Sequence, residues 1–200
     1  MFKMYRLNKL GIPIFFIPIF LISGPFIPDL ILTFSAIIFL IFVIIYKEYN
    51  FFKNKYFIFF FCFWIFILIN SLVSENITSI KSSATYIRFG IFLVLLVYLF
   101  NCNENLFENF KKILLFSILI LFLDSLIQYS FGYNIFGFPK SGRLSSFFGE
   151  EKIMGSYVVK ILPIYISLYF LKKKIVKFDI HITLILFISV CLVLLSKERS

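Results

Sequence analysis

Four cations standing in or beside apolar runs carry the most specific chemistry this sequence offers. Arg143 lies in a segment punctuated by Gly132, Gly137, Gly142 and Gly149 with Pro139, a pattern of turns and not of helix. Lys160 follows inside an apolar run, three residues before Pro163; Arg88 sits in an earlier run, and Arg199 is next to the last residue. A guanidinium is a planar fork that matches phosphate oxygens two at a time, so arginines at a membrane rim suit a diphosphate. Each of the four also has a plainer reading, as a long cationic side chain snorkelling to phospholipid phosphates. Pro163 cannot donate to the carbonyl of Val159, so a kink there, with Lys160 turned inward, is a further expectation.

Other polar residues narrow the chemistry. Asp124 and Gln128 are four apart and share a helix face. An ionisable residue inside a span usually faces other helices, so Asp124 is expected to pair with Arg88 or Lys160; a role as base for an acceptor hydroxyl is the alternative. His181 is the only histidine and stands beside Asp179, at the far end of its apolar run from the Arg199 segment. Cys62, Cys102 and Cys191 have no paired spacing, which argues against a disulfide framework and against a metal site.

The elements that must position these residues are set by composition. The 200 residues are 61% hydrophobic and only 15% charged, with 31 phenylalanines, too little polar surface to coat a water-soluble domain. The expected fold is all-α, a polytopic integral membrane helix bundle forming a single transmembrane domain over 1–200. A span needs about 20 mostly apolar residues. Seven candidate runs satisfy this loosely: 10–23, 28–46, 56–73, 84–100, 113–131, 153–171 and 180–195. The first is short and carries Pro13 and Pro18, so it is expected to kink or to fold against the second through Gly24-Pro25. The N-terminal cations before an apolar run imitate a signal peptide, but no small-x-small cleavage site follows and the segment is read as retained.

Twelve of the twenty basic residues fall on one side if the N-terminus is cytoplasmic: Lys3, Arg6 and Lys9, then Lys47, Lys53 and Lys55, then Lys111 and Lys112, then Lys172, Lys173, Lys174 and Lys177. Cytoplasmic loops collect such charge, which sets that orientation and makes the basic balance a matter of topology, with no nucleic acid partner. The other eight, Lys81, Arg88, Lys140, Arg143, Lys152, Lys160, Lys197 and Arg199, are then on the outer side, the longest outer loop being about 132–152. Asn76-Ile77-Thr78 falls in another outer loop and carries no weight as a glycosylation site.

The run Gly142-Arg143-Leu144-Ser145-Ser146-Phe147-Phe148-Gly149-Glu150-Glu151, followed by Met154-Gly155-Ser156-Tyr157, Lys160 and Pro163, resembles the bacterial O-antigen ligase and O-antigen polymerase superfamily. So does the terminal Ser196-Lys197-Glu198-Arg199-Ser200. The two motifs cover about 142–163 and 196–200. The resemblance implies a multi-pass protein of the bacterial inner membrane, a glycosyltransferase moving a glycan from an undecaprenyl diphosphate carrier to a sugar hydroxyl of an acceptor glycan or glycolipid on the outer face. It implies no cofactor, neither nucleotide sugar nor obligatory metal, and diphosphate contacts from Arg143 and Arg199, with Lys160 and Arg88 as further candidates. The family credits an outer-loop histidine with assisting the acceptor, a place His181 cannot take. The catalytic residue is therefore unassigned, and the chain reads as the N-terminal part of a longer protein or as a truncated reading frame, catalytically incomplete alone. A transporter or lipid-linked-sugar flippase fragment is the competing reading, and a non-catalytic subunit of a polysaccharide assembly is a third. Transporters commonly carry paired broken helices, and Pro163 has no counterpart here.

Overall fold

The computed structural model describes residues 11–74, 76–102, 105–140, 142–149, 151, 153–171 and 179–197. Among them all regular secondary structure is helical: α1 (Gly11–Phe15), α2 (Ile17–Ile22), α3 (Phe26–Tyr46), α4 (Lys55–Val73), α5 (Ile77–Thr85), α6 (Ile87–Cys102), α7 (Asn105–Phe131), α8 (Met154–Phe170) and α9 (Ile180–Ser196), with short 3₁₀ turns at Tyr49–Lys53 and Ser146–Phe148. Three stretches are long and apolar enough to cross a membrane: Phe26–Tyr46, Lys55–Val73 and the combined Ile77–Cys102. α8 and α9 are apolar but shorter, 17 residues each.

Local chemistry explains where helices break. The expected 10–23 span is two short helices separated at Phe16, because Pro18 occupies the first turn of α2, where a missing N–H costs nothing. Gly24, at φ +119, and Pro25 then end the segment before α3 begins. The expected outer loop before residue 84 is instead α5. Asn76 caps it, its Oδ1 accepting from the Thr78 N–H at 3.0 Å and the Thr78 hydroxyl at 2.6 Å. Asn-x-Thr here is a helix start.

The described chain gathers into two compact units. In the first, α3 from Pro28 onward accompanies α4, α5 and α6, and α4 packs on both α5 and α6. Gly90 permits the α4–α6 approach: a Cβ there would stand 2.4 Å from Cδ1 of Phe60. The Trp64 indole donates to the Ser83 carbonyl at 2.9 Å, joining α4 to α5. α4 buries Ser71 while exposing Phe59, Phe63, Phe66 and Leu72, an arrangement that suits a hydrocarbon solvent and not water.

The second unit holds α2, α7, α8, α9 and the segment between α7 and α8. α8 and α9 pack against each other. α7 contributes Leu114, Ile118 and Leu121 to a core shared with Met154, Val158 and Ile161 of α8. The Tyr157 hydroxyl, buried in that core, donates to the Pro18 carbonyl of α2. Helix α8 continues through Pro163.

Candidate functional site

The segment between α7 and α8 is organised by two side chains on the last turns of α7. Asp124 and Gln128 are fully buried, and Asp124 is in neither of the two ion pairs found among the described residues. Asp124 accepts from the Ile135 N–H at 3.0 Å through Oδ1 and from the Ser146 hydroxyl at 2.6 Å through Oδ2. The expected interhelical ion pair is thus replaced by hydrogen bonds to the neighbouring loop. Gln128 Oε1 accepts from the N–H groups of Ser145 and Ser146 at 3.1 and 2.9 Å. Its amide nitrogen lies 3.4 Å from both the Phe138 carbonyl and the Ser145 hydroxyl.

Asn134 completes the frame. It opens a tight turn closed by the Gly137 N–H on its carbonyl at 2.9 Å, with Asn first and Gly fourth as such turns prefer. Its side chain accepts from Phe138 N–H and donates to the Ser146 carbonyl, both at 2.7 Å. Ser146 is therefore bonded at its N–H, its carbonyl and its hydroxyl. It needs that support: its φ is +50, a left-handed conformation that costs an L-residue about 1–2 kcal/mol. Three hydrogen bonds at about 1 kcal/mol each outweigh the strain.

Arg143 rides on this fixed frame. It follows Gly142, at φ +74, and precedes Leu144 and Ser145, both buried, while its own side chain is exposed. It makes no side-chain hydrogen bond or ion pair with a described residue. Nearby in sequence, the Lys140 ammonium lies 4.1 Å from the centre of the Tyr129 ring. Downstream, Phe148 packs on Tyr157 with ring centres 5.3 Å apart, and Gly149, at φ +61, lies where a Cβ would stand 3.0 Å from the Phe138 ring.

The other predicted cations stand differently. Lys160 lies on the exposed face of α8 with Val159 and Pro163, away from that unit's core. Arg88 belongs to the first unit and is engaged: its guanidinium meets Asp29 at 2.7 Å and the Thr33 hydroxyl at 3.0 Å, while its Nε is buried without a partner among the described residues. Arg199 lies outside the described residues. Asp29 went unremarked in the sequence, although an acid inside an apolar run is itself a signal that a cation is near. Asn134 and Ser146 were missed because their partners are tertiary; only the Asn-x-x-Gly spacing hinted at the turn.

A pocket of about 410 Å³ opens beside the frame, walled by Phe138, Phe147 and Phe148 with Ser23 and Glu151 at its polar side. It adjoins an apolar cavity of about 230 Å³ lined by Ile19, Ile120 and Phe136. Glu151 is the charged residue among these linings, so neither cavity offers a cation to an anion. Among the described residues no three His, Cys, Asp or Glu side chains converge as they would on a metal ion. No protein-family model, curated protein or solved structure matches this chain.

Proposed function

We propose that the chain is a multi-pass bacterial inner-membrane protein acting as a glycosyltransferase of the O-antigen ligase or polymerase type. In this reading about seven helices cross the membrane with the N-terminus in the cytoplasm, and the α7–α8 segment faces outward. The donor is an undecaprenyl diphosphate-linked glycan, and the acceptor is a sugar hydroxyl on a glycan or glycolipid. The observation that carries the proposal is Arg143: a guanidinium with no partner among the described residues, on a segment held by Gln128 at the Ser145 and Ser146 N–H groups and by Asp124 at the Ser146 hydroxyl. Charge grows on the departing diphosphate as the glycosidic bond breaks, and a cation held ready there lowers the barrier without reorganising. Arg199 is proposed as a secondary contact; Lys160, exposed on α8 and not turned inward as expected, is not. Arg88 is a weaker candidate, since a diphosphate would compete with Asp29 for it.

The test uses cells lacking the native gene and complemented with variants of it. Arg143→Ala and Arg143→Lys should each abolish surface glycan while the lipid-linked donor still reaches the outer leaflet, because an ammonium cannot reproduce the two-point fork. Donor accumulating on the cytoplasmic leaflet would favour a flippase instead, and normal glycan in both variants would end the proposal.

A further inference from the structure

The first unit contains a second polar cavity, far in sequence from Arg143. Its volume is about 410 Å³, and it lies where the 3₁₀ turn Tyr49–Lys53 and the cap of α4 meet the last turns of α6. Lys53, Asn50, Asn54 and Asn101 supply its polar lining. The Asn54 Oδ1 is used in capping α4, accepting from the Tyr56 N–H at 3.0 Å. Asn50, Lys53 and Asn101 are exposed at the mouth of this open groove and Asn54 is half-buried. The Asn54 amide nitrogen, the Lys53 ammonium and the other two carboxamides have no protein partner among the described residues and are free to meet a ligand from the membrane surface. Val94 and Val97 form an apolar wall, and Phe51 is fixed edge-on to Tyr98 at 5.0 Å.

We infer that this cavity binds the phosphodiester headgroup of an anionic phospholipid. One ammonium and three carboxamides are donors for phosphate and glycerol oxygens, and the α4 N-terminus adds its positive end. Lys47 and Lys55 flank the site with a single acid, Glu48, between Lys47 and Lys53, so the local charge favours an anion. A lipid fits better than free phosphate. The apolar wall is continuous with helices long enough to cross a membrane, and the ends of such helices lie at headgroup depth, where basic pockets between helices take lipid heads. The site shares only the membrane setting with the proposed glycosyl transfer, not its chemistry, and it is tested without that reaction.

The experiment follows thermal unfolding of the whole chain in neutral detergent by fluorescence of Trp64, its only tryptophan, which lies in this unit. Phosphatidylglycerol should raise the midpoint saturably, while phosphatidylcholine and soluble glycerol 3-phosphate should not. In Lys53→Gln/Asn101→Leu the half-saturating mole fraction should rise about tenfold, the loss of one or two charge-assisted hydrogen bonds. Lys53→Arg should keep most of the effect, and Lys112→Gln, on exposed α7 surface, should keep all of it. Equal stabilisation by phosphatidylcholine or by glycerol phosphate, an unchanged titration in the double variant, or an equal loss in Lys112→Gln would each overturn the inference.

Discussion

Ser146 concentrates the loop's energetics in one residue, and its backbone gives a sharp test. Replacing it with Ala removes the hydroxyl that Asp124 accepts, leaves the buried carboxylate with one protein partner, and keeps the left-handed strain. Replacing it with Gly removes the same hydroxyl but relieves the strain by about 1 kcal/mol. Ser146→Gly should therefore be the milder change, with Ser146→Ala costing about 2–3 kcal/mol in detergent unfolding. At an ordinary helical position Gly would be the worse of the two. An order reversed from this would mean that φ at 146 is not positive in solution. The Asp124–Gln128 spacing was visible in the sequence and correctly gave a shared, buried face. Its use was not visible, because it depends on Ile135, Ser145 and Ser146 folding back, and hydrogen bonds across 11 to 22 positions leave no local pattern.

Among the elements, the α4–α6 contact makes a second prediction. With Cδ1 and Cε1 of Phe60 within 2.5 Å of an added Cβ, Gly90→Ala should overpack the contact and cost about 1–3 kcal/mol. In a Phe60→Ala background the clash is gone, and the same substitution should become neutral or stabilising by up to about 1 kcal/mol through helix propensity. A double-mutant cycle measured by unfolding of the two single variants and the pair reads the sign change directly; no sign change means that the two helices do not meet at Gly90. Helices bounded by strong punctuation were legible: 56–73, 153–171 and 180–195 match α4, α8 and α9 to within one residue at each end. The expected 84–100 missed α5, whose Thr-Ser-Ile-Lys-Ser-Ser run has little apolar signal and whose start is written only in the cap at Asn76. The expected 113–131 began too late, since α7 starts at Asn105 and carries a Glu108–Lys111 pair at 2.6 Å.

At the scale of the whole molecule, the proposal turns on parity. Between Lys53 and Arg143 the chain contains α4, the α5–α6 stretch and α7. The first two are long and apolar enough to cross. If α7 also crosses, the count is odd and the two positions face opposite sides; if it does not, they face the same side. At 27 residues and a 1.5 Å rise per residue α7 is about 40 Å long, more than the roughly 30 Å hydrocarbon thickness. Its polar residues do not forbid a crossing. Lys111 and Lys112 stand near its first turns, and Asp124 and Gln128, near the other end, are buried against hydrogen-bond partners in the loop. Single cysteines at Lys53→Cys and Arg143→Cys, in a background with Cys62, Cys102 and Cys191 changed to Ser, should therefore react differently with a membrane-impermeant maleimide. Under the proposed inner-membrane orientation, position 143 should label in cells with only the outer membrane opened, and position 53 only after the inner membrane is broken. Labelling of both under the same condition would place Arg143 on the lysine-rich face, where an outward-facing diphosphate donor cannot reach it.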